Sequence, residues 1–293
     1  MSEQARRPSE TAELFPWLNR HSLGASVFFT GRLCGRQDYA AGRHGHLHLV
    51  QRGPVDLTRP GAAPHRIEKP SLILLARPTG HRIDADEAAG ADLVCAQLSF
   101  DSPEAELLLM GFPDLLVIAL DELDGLQPVL QRLFAEAFAT GFGQRAAVDL
   151  LIELLLVMLL RHCLELGLLE HGLLAGLSDP RLGRALAAIH AAPDSEFSIE
   201  RLAEIAGMSR STFASAFKAR VGVSPGDYLT TLRLALAKQA LRAGRPLKAV
   251  AAEVGYNSPT ALARAFQRQL GCAPREWLAR QAPTAETGDI PGA

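Results

Sequence analysis

The feature that most constrains this chain is a pattern that occurs twice near the C-terminus. The first copy, SIERLAEIAGMSRSTFASAFKARVGVSPGDYL, runs from Ser198 to Leu229, and the second, PLKAVAAEVGYNSPTALARAFQRQLGCAPREWL, runs from Pro246 to Leu278. The matched positions include Gly207/Gly255, Phe217/Phe266, Gly222/Gly271, Pro225/Pro274 and Tyr228/Trp277. A chain that carries such a duplication must fold into two similar small units held at a fixed separation.

Each copy predicts two short helices joined by a tight turn that contains glycine. Phe213 and Phe217, four residues apart, indicate the buried side of the second helix in the first copy, as Leu262 and Phe266 do in the second. Glycine permits the left-handed backbone of a helix-turn-helix. A packing-only helical repeat is the alternative, but stacked repeats need three or more units. Two units on one connecting helix are typical of a protein that reads two turns of DNA.

Residues 178–281 resemble the DNA-binding domain of AraC/XylS-type transcription regulators. The resemblance is carried by SIERLAEIAGMSRSTFASAFK and AVAAEVGYNSPTALARAFQRQLGCAPREW. It implies an all-α domain with a double helix-turn-helix over 176–281, followed by a flexible tail over 282–293. Together with the N-terminal half, it implies an α+β two-domain chain that binds double-stranded promoter DNA.

The resemblance also implies which side chains face the DNA, and helical geometry gives the same outward sides. The expected DNA-binding residues are Arg210, Ser211, Ala214, Ser215 and Lys218 in the first copy, and Asn257, Ser258, Pro259, Thr260, Ala263, Arg264, Gln267 and Arg268 in the second. Arg220 and Lys248 are further phosphate candidates, with a solvated surface charge as the alternative for each. Arginine can contact guanine O6 and N7 in bidentate fashion, whereas serine and alanine read bases weakly. We therefore expect Arg264 to contribute the sharpest base discrimination.

The charge distribution agrees with a nucleic-acid reader attached to another domain. The segment Gly176–Arg280 carries 15 Lys and Arg against 8 Asp and Glu, although the whole chain has a net charge of −2. The polar N-terminus predicts no secretory signal, and the longest apolar run, Leu154–Leu160, is too short to cross a bilayer. Four cysteines do not make a disulfide framework in a chain of 293 residues, so we expect a cytoplasmic protein with no membrane partner.

The N-terminal half predicts a β-barrel followed by helices. Short apolar runs between Ala25 and Phe100 are separated by Gly and Pro, which is typical of an all-β barrel or sandwich. The predicted strands are SVFFTGRLC, HLHLVQRG, VDLTRP, SLILLARP and DLVCAQLSF. With the domain behind it, this half resembles the cupin-like sensor domain of AraC-type regulators. We expect a disordered tail over 1–11, a sensor domain over 12–110, and a helical segment over 111–175. The helices predicted there are 126–140 and 144–166, the second either a core helix or a homodimer interface, and Gly172–Asp179 is predicted as a linker.

The histidines and cysteines of the sensor half suggest two kinds of chemistry. His46-Leu47-His48 and His81 resemble part of the metal-binding motif of cupin enzymes, but Arg52 and Gly53 stand where the motif needs Glu, so enzyme activity is not expected. Cys34, His48, His81 and Cys95 match a subgroup of AraC-type regulators that includes a reactive-chlorine-responsive sensor. That resemblance implies a redox-sensitive pair, Cys34 and Cys95. Two thiols and two imidazoles also suit Zn²⁺, with His46 as an alternate ligand, whereas free cysteines are often only buried packing residues.

The sequence therefore predicts a DNA-binding transcription regulator, by family resemblance an activator, that acts as a homodimer and works with RNA polymerase. Its signal is either an oxidant or metal at Cys34 and Cys95, or a small organic effector in the barrel. A cupin enzyme fused to a DNA-binding domain is the alternative from another class, and the missing Glu argues against it. Cys163 and Cys272 are interpreted as packing residues.

Overall fold

The N-terminal half of the computed structural model is formed by two antiparallel sheets. The structure describes residues 24–42, 44–99, 107–108, 111–169 and 171–280, and the tails predicted over 1–11 and 282–293 lie outside them. The strands are β1 (Gly24–Leu33), β2 (Gly35–Tyr39), β3 (Gly45–Arg52), β4 (Val55–Thr58), β5 (His65–Ile67), β6 (Ser71–Leu75), β7 (His81–Ala85), β8 (Ala91–Ser99) and β9 (Leu116–Ala119). One sheet has the order β1-β8-β3-β6-β9 and the other β2-β7-β4-β5, which confirms the cupin-like antiparallel domain.

Alternation along the strands gives the first sheet two buried sides. Val50, Leu93 and Ile73 point between the sheets, whereas Leu47 and Leu49 point to the opposite side, where helices cover them. Strand β9 lies in a stretch for which the sequence predicted helix. Its run Leu-Val-Ile-Ala pairs with β6 and extends the sheet by one edge strand, a tertiary pairing that the local pattern does not reveal.

Ten helices follow in the described part of the chain. They are α1 (Gln127–Ala137), α2 (Gln144–Glu165), α3 (Leu173–Leu177), α4 (Pro180–Ala191), α5 (Ile199–Ala206), α6 (Arg210–Val221), α7 (Pro225–Arg242), α8 (Leu247–Glu253), α9 (Pro259–Leu270) and α10 (Pro274–Arg280). No helix among the described residues combines the length and apolarity needed to cross a membrane.

Helix α2 packs on the sheet with one side and leaves the other exposed. Val148, Ile152 and Leu155 are buried, and the carboxylate of Asp149 accepts a hydrogen bond of 2.7 Å from the backbone N–H of Val27 in β1. On the opposite side Leu150 is 66% exposed and Leu154 47% exposed. Helix α2, predicted as a core helix or a dimer interface, is therefore buried in the core along one side only.

The residues 172–179, which the sequence predicted as a linker, contain a buried helix instead. All five residues of α3 are buried, and its leucines join the core under the β-sheet to the core of α4, α5 and α6. The close approach depends on Gly176, where a Cβ atom would lie 2.8 Å from side-chain atoms of both Leu186 and Val221. Burial of the apolar Leu-Leu-Ala-Gly-Leu sequence between the two domains lowers the free energy, whereas an exposed linker would leave these side chains in water.

The C-terminal half contains two helix-turn-helix units, as the duplication predicted. The first unit is α4, α5 and α6, the second unit is α8, α9 and α10, and α7 connects them. Ser198, Ser209, Ser224 and Ser258 each accept a hydrogen bond from a backbone N–H in the first turn of α5, α6, α7 and α9 respectively. Gly207 ends α5 with a φ of 65°, and Gly255 follows α8 with a φ of 82°.

Candidate nucleic-acid interface and sensor cluster

Helix α6 of the first unit and helix α9 of the second, with the turn before each, present the predicted DNA-binding side chains outward. Phe213 and Phe217 on α6, and Leu262 and Phe266 on α9, are fully buried and anchor these recognition helices to their units. The exposed predicted residues are Arg210, Ser211, Ser215, Lys218, Asn257, Thr260, Arg264, Gln267 and Arg268, and the half-buried ones are Ala214, Ser258, Pro259 and Ala263. This orientation leaves every one of them accessible to a duplex, and their contacts with DNA stay a prediction.

The two recognition helices differ in the charge that they present. Ser215 of α6 and Arg264 of α9 occupy matching positions and both are exposed, so only the second helix presents a guanidinium there. Arg210, at the start of α6, forms an ion pair of 3.1 Å with Glu200 of α5. The first unit therefore places a carboxylate beside one of its predicted phosphate contacts.

Four aromatic or imidazole rings and one thiol meet at one end of the space between the two sheets. We call Tyr39, His46, His48, His81 and Cys95 the sensor cluster. The strand register explains why they meet, because Cys95 of β8 pairs with His48 of β3, and Tyr39 of β2 pairs with His81 of β7. Phe28 reaches the cluster from β1, at a β-bulge between Val27 and Phe29, and its ring lies 5.9 Å from that of Tyr39.

The imidazoles of the cluster form an ordered chain of hydrogen bonds. Nδ1 of His81 lies 2.9 Å from the carbonyl oxygen of Thr79, which can only accept, so this nitrogen carries the proton. Burial lowers the pKa of His81, more than the bond to Thr79 raises it, and the imidazole is neutral at pH 7. Its Nε2 then accepts a hydrogen bond from Nε2 of His48, at 2.8 Å. Nδ1 of His48 is left with a lone pair only.

Two ring nitrogens of the cluster are buried without a hydrogen-bond partner among the described residues. They are Nδ1 of His46 and Nδ1 of His48. Burial lowers the pKa of His46 to about 4 and that of His48 well below its usual value, so both rings are neutral at pH 7. A buried polar atom that makes no hydrogen bond costs about 1–3 kcal/mol. The cluster is therefore suited to a hydrogen-bond donor or another electrophile that enters it.

The two cysteines of the predicted redox pair lie apart. Cys95 is fully buried, and Oη of Tyr39 lies 3.9 Å from its Sγ, whereas Cys34 is exposed and packs against the turn at Gly90. In the register of β1 and β8, Leu33 pairs with Ala91 and Phe29 pairs with Cys95. At about 3.3 Å per residue, Cys34 and Cys95 are separated by about 15 Å, beyond the roughly 7 Å that a disulfide allows between Cα atoms.

The expectation that Cys34, His48, His81 and Cys95 converge is therefore corrected by the structure, which brings three of them together and leaves Cys34 outside. The reason is topological, because Cys34 sits where β1 ends and the chain crosses to β2 in the other sheet. The described residues contain no group of three or more His, Cys, Asp or Glu side chains placed to hold a metal ion. Zinc binding by Cys34, His48, His81 and Cys95, with His46 as the alternate ligand, therefore has no support from these side chains, and the redox role of both thiols stays a prediction.

Burial controls the reactivity of the inner cysteines. Desolvation raises the pKa of Cys95 to about 12 and that of Cys163 to about 11, so both are thiols at neutral pH. Cys163 and Cys272 are buried, in positions that suit the packing role predicted for them.

Sequence reasoning missed Tyr39 and Phe28 in this site. The Tyr39 ring stacks on His81 with centroids 4.7 Å apart, and its own burial, reinforced by Cys95, raises the pKa of its hydroxyl well above the usual value. Tyr39 ends a strand, GRQDY, that has too few apolar residues to be detected by alternation. Phe28 enters the cluster only because the bulge in β1 shifts its side by one residue, which no local pattern signals.

Fold and site together define a two-domain protein in which a cupin-like domain is joined to a double helix-turn-helix domain. Family models agree on both parts: one described as "Cupin" matches residues 17–165, and one described as "Helix-turn-helix domain" matches residues 202–280. A putative AraC-like transcription regulator of Streptomyces lividans is 33% identical, over 90% of this chain and 95% of its own length. The chain belongs to the AraC-like family of DNA-binding transcription regulators.

Two further relatives are similar over different shares of their length. An uncharacterized HTH-type transcriptional regulator of Haemophilus influenzae is 36% identical, but the match covers only 58% of this chain and 57% of that protein. The RCS-specific HTH-type transcriptional activator RclR of Escherichia coli K12 is 28% identical, over 80% of this chain and 84% of its own length. The relatives are transcription regulators, which confirms the prediction that this chain is not an enzyme.

Proposed function

We propose that this regulator is an activator that binds promoter DNA as a homodimer in the cytoplasm and acts on RNA polymerase when its sensor domain receives a signal. The observation that carries the proposal is the pair of matched units, each with an exposed recognition helix, joined through α3 to a domain with a buried polar cluster. Activation is further supported by the name of RclR, an activator with which this chain shares 28% identity.

The sensor cluster, together with Cys34 outside it, is the proposed receiver of an oxidant signal. Cys34 is the accessible thiol, and a two-electron oxidant such as hypochlorous acid converts it to a sulfenic acid while the oxidant is reduced to chloride and a proton is released. Cys95 is shielded by Tyr39 and by its own burial. Oxidation of Cys95 therefore requires the sheets to part at the cluster. Such an opening changes the packing of β1, which is bonded to α2 through Asp149.

The experiment is a transcription reporter driven by a promoter that the protein binds, measured with and without hypochlorite. We expect the wild-type response to fall at least tenfold in Cys95→Ser and His48→Gln, and to weaken in Cys34→Ser. Cys272→Ser is the matched control, because it removes a buried thiol from the second unit. A full response in both Cys34→Ser and Cys95→Ser would refute the oxidant signal.

A small organic effector is the second candidate, and a groove on the outer side of the sheet favours it. The groove has a volume of about 610 Å³ and lies between the ends of β1, β3 and β8 and helix α1. Its lining combines the apolar Phe134 of α1 and Phe138, just after that helix, with the polar Arg32, Gln51 and Asp92 of the strands. A tryptophan placed at Ala135 would fill the groove. If Ala135→Trp abolished the response while the cysteine variants kept it, the organic effector would be the signal.

Homodimerisation is proposed through the exposed side of α2. Leu150 and Leu154 lie one turn apart and are 66% and 47% exposed, an apolar stripe that a second copy of the same helix would cover. Replacing both leucines by serine should convert a dimer into a monomer in sedimentation equilibrium without loss of helix content. The double variant Arg145→Ser/Arg161→Ser, on the same helix but without apolar loss, is the control. A dimer that survives the leucine changes would rule out this interface.

A further inference from the structure

A single arginine ties the two helix-turn-helix units together. Arg233 lies in the middle of α7, the helix that connects the units. Its Nε donates a hydrogen bond of 2.7 Å to the carbonyl oxygen of Pro193, and its Nη2 donates one of 2.9 Å to that of Ser195. Both acceptors belong to the loop between α4 and α5 of the first unit. The guanidinium carbon also lies 5.7 Å from the ring centre of Tyr256, in the turn of the second unit.

The same loop contacts the turn of the second unit directly. At Gly255, which has a φ of 82°, a Cβ atom would lie 2.7 Å from the carbonyl oxygen of Asp194 and 2.8 Å from its Cα atom. These are backbone atoms, so no other residue fits without moving the loop. The matching glycine of the first unit, Gly207, would bring its Cβ only to 3.5 Å from a flexible arginine nitrogen. Gly207 serves the turn alone, whereas Gly255 serves the turn and an approach between units.

We propose that Arg233 is a positioning residue that sets the distance and the rotation between the two recognition helices. Helix α7 by itself fixes the distance and rotation between the units only weakly, because each unit packs against only part of that helix. The bracket formed by Arg233, the loop at Asp194 and Gly255 adds a second attachment point beside α7. The two attachments hold the two units rigidly relative to each other. The DNA site that they bind therefore has a fixed spacing between its two halves. This inference rests on DNA binding by both units.

The test is the tolerance of binding to a change in spacing. The full chain is used to select a duplex from a random library, and the selected site is then lengthened by one base pair between its halves. One base pair moves the second half by about 3.4 Å and rotates it by about 35°. We expect the wild-type protein to lose about tenfold or more in affinity for the lengthened site.

Arg233→Ala should bind the selected site about three- to tenfold more weakly, because the units must be ordered on binding, and should lose less than about threefold on insertion. Arg233→Lys should behave like the alanine variant, since an ammonium cannot make the forked contact or stack on Tyr256. Arg184→Ala is the matched control. Arg184 also bonds two carbonyl oxygens, those of Ile205 and Ala206, but within the first unit, so the variant should keep the wild-type spacing penalty.

Gly255→Ala keeps the arginine but would place a Cβ atom 2.8 Å from its Nη2 and 2.7 Å from the carbonyl oxygen of Asp194. It provides a second route to the same loosening if circular dichroism shows that Arg233→Ala folds poorly. An unchanged spacing penalty in a folded Arg233→Ala or Gly255→Ala protein would overturn the inference and leave DNA binding by both units intact. A wild-type protein that ignores the spacing would overturn it as well. A wild-type protein that binds no duplex would instead refute the proposed function.

Discussion

Phe217 of the first unit and Phe266 of the second occupy matching positions and are both fully buried, yet they lie in different cores. Phe217 belongs to an apolar core that continues through Leu173, Leu174 and Leu177 of α3 to the helices under the β-sheet. Phe266 belongs to a separate core that is closed by α7, α8 and α10. The same pattern thus builds two units of which only the first shares its core with the sensor domain.

The two recognition helices also differ in the charged side chains that they present. The first presents Ser215 at the position where the second presents Arg264, and its Arg210 is paired with Glu200. We infer that the first unit receives the conformational signal through α3 and that the second unit contributes most of the base discrimination. The following predictions test this comparison.

The largest effect is expected from removing the two matched aromatic rings. Phe217→Ala and Phe266→Ala should each cost about 3–5 kcal/mol of the free energy of unfolding, since each leaves a cavity in a close-packed core. In hydrogen exchange followed by mass spectrometry, Phe217→Ala should raise exchange in α2 and α3 as well as in the first unit. Phe266→Ala should raise it in α8, α9, α10 and the C-terminal half of α7 only. If both substitutions raised hydrogen exchange in the same set of helices, the two cores would not be separate.

A smaller effect is expected from the matched positions Arg264 and Ser215. Arg264→Ala should remove about 1–3 kcal/mol of discrimination at one base pair of the site, because a bidentate contact to guanine is lost. Ser215→Ala should change discrimination by less than about 1 kcal/mol. Binding to a library of single-base variants of the site measures both. The control is Arg268→Ala, which should weaken binding to all sites alike and lower its salt dependence. An unchanged base preference in Arg264→Ala would disprove the assignment.

The smallest effect is expected from mild acid, which should destabilise the first unit but not the second. Burial lowers the pKa of His46 in the sensor domain and of His190 in the first unit to about 4, against 6.5 in an unfolded chain. The unfolded state therefore binds more protons between pH 6.5 and 4, so stability is complete above pH 6.5 and is lost as the pH falls through that window.

All nine histidines precede residue 191, and the second unit contains none. Lowering the pH from 7 to 5.5 should cost the sensor domain and the first unit up to about 1 kcal/mol for each such histidine. Hydrogen exchange at the two pH values, corrected for the intrinsic rate, reports each region. His190→Gln should reduce the loss in the first unit. An equal loss in α8 to α10 would show that these histidines are not its source.

Local pattern was enough for the helix-turn-helix units and for most of the sheet. The buried faces of α6 and α9, the serine caps and the turn glycines all follow from spacing over a few residues, so they could be predicted. The strands that escaped prediction, β2, β5, β7 and β9, are short or polar, and pairing with a neighbour holds them in place. The pairing of Cys34 with Cys95 came from the family resemblance, whereas strand register places Cys95 opposite Phe29 in the middle of β1 and Cys34 just beyond the end of that strand.

The sequence by itself determined two helix-turn-helix units behind a strand-rich half, because duplication, periodicity and capping are local properties that each segment carries with it. The resemblance to AraC-type regulators added DNA binding and the cupin-like domain. Only the tertiary structure decided that Tyr39 and Phe28 join the buried histidines, that 172–179 is a buried helix, and that Arg233 brackets the two units. Many of these contacts join residues that are distant in sequence, such as Tyr39 and His81, or Arg233 and Pro193. Register, strand bulges and loop packing set them, and such features depend on the whole fold.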